Sequence, residues 1–178
     1  MRVLSPRDIR AYISLRREML ADAPWAFMAS PGSDHGSSAA FLKKILGRPK
    51  GQNTILGAFE GGRLLASAGV LREETPKRRH LVLIWGVYVT PAARGRGLGR
   101  AVMIGAIERA RSWSRAGDPV AAVELAVNER AVAAQRLYAS MGFRMWGREP
   151  EALRLNGRFL SEIHMSLPLR RARKEKRR

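Results

Sequence analysis

The segment Leu81–Val89 (LVLIWGVYV) constrains this chain more than any other. It carries no charge and is filled with β-branched and aromatic residues, which predicts a buried strand. Gly86 inside it predicts a bulge or a close backbone approach, and Pro91 ends it. Directly beyond comes Arg94-Gly95-Arg96-Gly97-Leu98-Gly99-Arg100-Ala101, in which three glycines alternate with larger residues before a helical pattern begins. The buried strand therefore runs into a glycine-rich turn that opens a helix.

That arrangement carries chemistry. With no side chains at residues 95, 97 and 99, backbone N–H groups can approach a ligand closely. The helix start adds unpaired N–H donors and the positive end of the helix dipole, and this combination suits an anion. Arg94, Arg96 and Arg100 offer charge-assisted donors. The turn reads as a diphosphate cradle. It is not a P-loop, because no Gly-Lys-Ser/Thr follows. It is not the dinucleotide pattern G-x-G-x-x-G either, because Arg100 stands where the third glycine belongs. Taken alone, a tight strand–helix connection with solvated arginines would look the same.

The surrounding periodicities supply a fold. Residues 6–20 read as a helix with Ile9, Tyr12, Ile13, Leu15 and Leu20 on an apolar face. Residues 31–40 (PGSDHGSSAA) read as a loop and 40–46 as a second helix. Residues 54–59 and 64–71 form a hairpin about Glu60-Gly61-Gly62. After the central strand, a helix runs over 98–116, with Gly117 as its stop. Residues 121–127 are a buried strand. Residues 131–141 are a helix presenting Ala134, Leu137, Tyr138 and Met141. Gly142-Phe143 leads into another strand, and 163–167 is the last. The order implies an α+β fold of α/β type, a central mixed sheet flanked by helices, with parallel pairing around the 81–127 unit.

At 178 residues, with 46% apolar and 27% charged residues, the chain has the size and balance of one globular domain, expected over residues 1–169. No apolar run approaches the roughly 20 residues of a membrane span. The absence of cysteine excludes disulfides, thiolate metal sites and a cysteine nucleophile. His35, His80 and His164 have no metal-ligand spacing, so no metal is expected. Arg2, Arg7, Asp8 and Arg10 leave no room for a signal core, which points to the cytoplasm.

Charge is the unusual quantity. Lys and Arg number 33 against 15 Asp and Glu, a net +18. Residues 170–178 hold seven bases and one acid, a tail expected to be disordered, and the rest of the chain still carries +12. Such a body attracts phosphates, acidic surfaces or nucleic acid and repels polycations at long range. A surface rich in arginine by habit would give the same total.

The cradle has company. Arg94-x-x-Gly97-x-Gly99-x-Ala101 after Tyr88-Val89-x-Pro91, then Val123-x-Leu125-x-Val127 and Ala134-x-x-Leu137-Tyr138-x-x-x-Gly142-Phe143, resembles the GNAT superfamily of N-acetyltransferases over about residues 50–167. The resemblance implies that the backbone of Val87, Tyr88 and Val89 pairs with the pantetheine arm of acetyl-CoA like an added strand. It implies that the turn Arg94, Gly95, Arg96, Gly97, Leu98, Gly99, Arg100 and Ala101 holds the pyrophosphate, and that Tyr138 protonates the leaving thiolate rather than serving only as a core aromatic. The family's cofactor-contacting Asn, seven residues before that Tyr, is Ala131 here. Asn128 either substitutes for it or caps the following helix. The carboxylate that many members carry on the strand before the cradle is missing, which leaves the base unassigned: His80, Glu73, Glu74, a water chain, or no dedicated base, since a solvated amine can lose its proton unaided. Trp25, Phe27 and Met28 read as core packing in preference to a pocket wall, and Trp85 likewise as core.

The implied function is transfer of acetyl from acetyl-CoA to a primary amine, on a small molecule or a protein, by a monomer or homodimer. Two other readings keep the fold. One is a basic module that binds nucleic acid or the ribosome, and the other is an inactive acyl-CoA sensor.

Overall fold

The structure is a computed structural model that describes residues 1–47 and 52–169. The basic segment 170–178 lies outside the described residues. One seven-stranded mixed sheet organises the chain. Its strands are β1 (Arg2–Val3), β2 (Asn53–Glu60), β3 (Arg63–Arg72), β4 (Leu81–Val89), β5 (Ala122–Asn128), β6 (Arg144–Leu155) and β7 (Arg158–Pro168), in the order β1-β2-β3-β4-β5-β7-β6. Every neighbouring pair is antiparallel except β4 and β5, which run parallel. Helices α1 (Ile9–Asp22) and α2 (Ala39–Leu46) cover one face, and α3 (Leu98–Ser112) and α4 (Val132–Ser140) pack against the other.

The period of two in the strands builds both cores. In β2, Ile55 packs beneath α1 and α2 beside Tyr12, Met19 and Leu42, while Leu56 and Ala58 face α3 with Met103 and Ala106. In β3, Leu64 joins the first core, and Ala66, Ala68 and Val70 join the second. Strands buried on both faces read as continuous apolar runs, as these do. On β5, Val123, Leu125 and Val127 enter the α3/α4 core. Glu124, Ala126 and Asn128 therefore point to the other face.

Two features of β4 shape the site. The register with β3 shifts between Ser67↔Tyr88 and Gly69↔Trp85, so β4 carries one extra residue there. Gly86 sits in this bulge at φ 57°, a left-handed conformation that glycine adopts without strain. Parallel pairing with β5 covers only Leu81–Leu83 against Ala122–Glu124. Beyond Leu83 the two strands diverge, and a split opens in the middle of the sheet.

Several boundaries differ from the sequence expectation. The third helix ends at Ser112 rather than at 116. The guanidinium of Arg72, fully buried, donates to the Trp113 carbonyl at 3.0 Å and to Asp118 Oδ1 at 2.6 Å, tying the chain off before Gly117. The last strand is 11 residues long and pairs with a 12-residue β6. The turn between them has Asn156 at φ 49° and Gly157 at φ 76°, both left-handed, as a type I′ hairpin requires. The Asn-Gly pair was the signal for this hairpin.

Candidate active site

The split in the sheet continues into a cleft of about 560 Å³ between β4, the start of α3, and α4. Val87, Tyr88, Val89, Arg94, Gly95, Gly97, Leu98, Gly99, Arg100 and Tyr138 all line it. Arg96 and Ala101 are in the same turn and first helical residues but do not line the cleft. The sequence motifs, separated by up to fifty residues, are thus brought to one place.

The turn itself is built by backbone sign. Gly95 has φ 76° and Gly97, which caps α3, has φ 80°. A Cβ at either would meet nothing within 4 Å, so these glycines are set by conformation and by the open space in front of them, not by crowding. Gly99 differs: its Cβ would touch Leu137 at 3.4 Å. The α3 ladder starts with Ala101 N–H donating to Gly97 O at 3.0 Å. The N–H groups of Leu98, Gly99 and Arg100 precede that bond, so helix geometry leaves them no intrahelical acceptor. A diphosphate against this end would meet those donors and the helix dipole.

The arginines of the turn are already engaged. Arg94 pairs with Asp22 at the end of α1 and donates to Val89 O at 3.2 Å, Arg96 pairs with Glu60, and Arg100 donates to Ser140 Oγ at 2.6 Å. Their charge stays beside the cradle, but the backbone groups are the donors that stand ready. Sequence reading missed the carboxylates that hold them. Glu18 and Asp22, one helical turn apart on α1, accept from Thr90 Oγ1 and from Tyr88 Oη respectively, the latter at 3.2 Å. Burial and the two carboxylates raise the Tyr88 phenol pKa above its ordinary range. Tyr88 is thus a buried fixture that ties β4 to α1.

Tyr138 is 5% exposed and lines both the cleft and a smaller adjoining cavity of about 100 Å³ inside the split. Its ring sits 6.0 Å from that of Phe143. Burial pushes its pKa above the ordinary tyrosine range, so the hydroxyl is protonated at neutral pH.

Asn128 opens into the smaller cavity and not into the main cleft. It is 1% exposed, and its Oδ1 accepts from Arg130 N at 3.0 Å, closing a local turn. It does not cap α4, whose first flanking residue, Ala131, provides no side-chain cap. Asn128 Nδ2 is buried without a hydrogen-bond partner. Ala131, the position of the family Asn, lines both cavities.

The base candidates are not brought here. His80, Glu73 and Glu74 lie at the opposite end of β4, and Glu73 is paired with Arg78 at 3.8 Å. At about 3.3 Å per strand residue, His80 is roughly 20 Å from Val87. Of the large side chains between the first two helices, Phe27 packs against the α1/α2 core as expected and also lines the cleft, whereas Trp25 is half-buried at the cleft wall and Met28 is 83% exposed. Trp85 is packed as expected, over Gly69, where any Cβ would collide with the indole.

Comparison with known proteins agrees with this fold. No curated protein matches the chain significantly in sequence. Among solved structures, a GCN5-related N-acetyltransferase from Kribbella flavida superposes with a TM-score of 0.76 at 26% identity, covering 94% of this chain and 96% of that one. A ribosomal-protein-alanine N-acetyltransferase from Brucella melitensis gives 0.78 at 22% identity, over 94% and 98%. A phosphinothricin acetyltransferase of the GNAT superfamily from Sinorhizobium meliloti, in complex with AcCoA, gives 0.78 at 20%, over 94% and 86%. The model of the acetyltransferase (GNAT) family matches residues 15–143, which span the bulged strand, the cradle and Tyr138, and on that match the chain belongs to the GNAT acetyltransferase family.

Proposed function

We propose that the protein transfers the acetyl group of acetyl-CoA to a primary amine, with Tyr138 as the acid. The observation that carries this is the convergence of Val87–Val89, the Gly95–Gly97 turn and Tyr138 on one cleft that reaches through the split sheet. The residues present suit the cofactor: an open turn of left-handed glycines meets its diphosphate, and the strand edge left free by β5 meets its pantetheine amides. The unpartnered Asn128 Nδ2 adds a donor inside the split.

In this reading the amine nitrogen attacks the thioester carbonyl directly. The new C–N bond forms as the C–S bond breaks. Tyr138 gives its proton to the departing sulfur, and the amine proton leaves to solvent or to a carboxylate beside the acceptor. Backbone donors of the β4 bulge polarise the carbonyl, and the cleft holds the reactants in line. No acyl-enzyme is needed.

The test is release of CoA thiol in the presence of acetyl-CoA and a panel of amines. Because the chain has no cysteine, a thiol reagent reports CoA alone. Amine-dependent thiol release is the expected result. Tight acetyl-CoA binding with no release on any amine would turn the reading into that of an acyl-CoA sensor.

A further inference from the structure

The smaller cavity passes through the sheet where β4 and β5 diverge. Tyr138, Leu125 and Val127 close it on the α3/α4 face, and Phe27 and Trp85, which pack with the α1/α2 core, close it on the other. Asn128 belongs to that second face, because Val127 beside it enters the α3/α4 core. Among the described residues that line this cavity none is charged, and its polar side chains are the Tyr138 hydroxyl, the Trp85 indole and the Asn128 amide. The Asn128 amide is held in one orientation, since its Oδ1 accepts from Arg130 N at 3.0 Å, a backbone donor that needs an oxygen there. Nδ2 is the end that remains, in a side chain 1% exposed, and it is buried without a hydrogen-bond partner.

A buried amide donor left unpaired is costly and rare for that reason, so Nδ2 marks a place where a ligand completes the hydrogen bonding. What completes it is an acceptor atom; an ammonium ion, which only donates, does not. Position decides whose acceptor it is. The glycine turn and the cleft that suits the cofactor lie along α3 and α4, and Asn128 does not line that cleft. In the acetyl-transfer reading the thioester oxygen turns to the backbone donors of the β4 bulge. Asn128 stands on β5, across the split from those donors and on the α1/α2 face, the side left for the incoming amine.

We propose that Asn128 Nδ2 donates to a carbonyl oxygen on the carbon next to the acceptor's amine-bearing carbon, so that the acceptor is an α-amino amide, the chemistry of a polypeptide N-terminus or of an amino-acid amide. The proposal rests on the acetyltransferase reading. In such an acceptor only the α-carbon and the carbonyl carbon separate the amine nitrogen from the oxygen, so the nitrogen reaches the thioester while the oxygen reaches the wall of a narrow cavity. The oxygen is neutral, as a cavity without charged lining requires. A free carboxylate there would lack a cation, and the ladder sets Glu162 opposite Asn128. An amine without the oxygen leaves Nδ2 unpaired in the bound state.

The experiment compares amines of similar basicity that differ in the oxygen: glycinamide with propargylamine, and alaninamide with but-3-yn-2-amine. Amine-dependent thiol release gives kcat/KM for each, and calorimetry gives acetyl-CoA affinity. The wild type should prefer each amide by at least about tenfold. Compared per unprotonated amine, glycine and alanine should fall below their amides. In Asn128→Ser the hydroxyl still accepts from the Arg130 N–H while Nδ2 is gone, and the amide preference should shrink to about twofold or less. The ratio is the readout because any change in acetyl-CoA binding or in proton transfer cancels in it. Alanyl-glycyl-glycyl-glycinamide beside alaninamide separates the two sources: a higher kcat/KM for the peptide identifies a polypeptide terminus, and an equal or lower one identifies the small amide. Absence of an amide preference in the wild type overturns the proposal. So does a preference retained in Asn128→Ser, better use of the free amino acids, or acetylation of none of these amines by a protein that binds acetyl-CoA. Failure of the wild type to bind acetyl-CoA would instead overturn the acetyltransferase reading beneath it.

Discussion

In the proposed reaction, Tyr138 is the residue on which the chemistry depends most. Its hydroxyl makes no hydrogen bond to another described residue, its ring is held against Phe143, and burial keeps it protonated. Tyr138→Phe retains the ring and its packing and removes only the hydroxyl. It should lower kcat by about 10²–10⁴-fold with little change in the KM for acetyl-CoA, as steady-state kinetics would read. Wild-type turnover in the variant would return Tyr138 to the core. A second residue, Asp8, reports on stability. It accepts from both terminal nitrogens of Arg2 at 2.6 Å and from Ser5 N at 2.8 Å, which hold its carboxyl well below the usual carboxylate range. A depressed folded pKa contributes stability that is present above the unfolded value of about 3.9 and is lost as pH falls through that value toward the folded one. The stability gap between wild type and Asp8→Asn should therefore be constant above about pH 5 and shrink toward pH 2 in denaturant titrations.

At the level of elements, the hairpin β2–β3, the bulged β4, the cradle and α4 were legible because each has a local cause: a Gly-Gly turn, a glycine inside an apolar run, alternating glycines, an apolar helical face. The N-terminal strand was not, since two residues gain their conformation only by pairing with β2. The exposed β6–β7 hairpin hid its length because its strands bury little and so lack a strong alternation. At the site, the glycine turn, Tyr138 and Asn128 were readable as candidates from the sequence. The wall formed by Trp25 and Phe27 was not, because only the folded sheet brings that segment to the cleft. Arg72 was equally hidden. It joins β3 to the carbonyls of Arg79, Trp113 and Asp118 and to the Asp118 carboxylate. Asp118→Asn should cost about 1–3 kcal/mol by weakening the one charged partner of a buried guanidinium. For a chain this long, that is a fall in Tm of several degrees, with acetyl-CoA affinity retained. An unchanged Tm would show that the carbonyls suffice.

For the whole molecule, the question is what +18 does. Much of the positive charge around the cleft is matched locally, as in Arg94 with Asp22 and Arg96 with Glu60, so the excess lies elsewhere on the surface and in residues 170–178. Removing 170–178 takes away +6 and should leave acetylation of a small amine unchanged. If the basic chain binds RNA, the same deletion should weaken binding and flatten the slope of log K against log salt, by about 0.7 for each phosphate that is no longer neutralised. Filter binding with a single-stranded RNA across a salt series would read this. Salt-independent, negligible binding by both forms would remove the nucleic-acid reading and leave the charge as a property of the surface.

The split sheet and its left-handed glycine turn are proposed to form an acetyl-CoA site. Calorimetric titration of acetyl-CoA into the wild type and into Gly97→Glu tests it most directly. The variant forces a β-carbon into a left-handed position and places a carboxylate where the diphosphate belongs. Saturable one-to-one binding by the wild type, and a loss of at least about tenfold in a variant that keeps its circular dichroism spectrum, is the predicted result. No binding by the wild type, or equal affinity in the two proteins, would contradict the account.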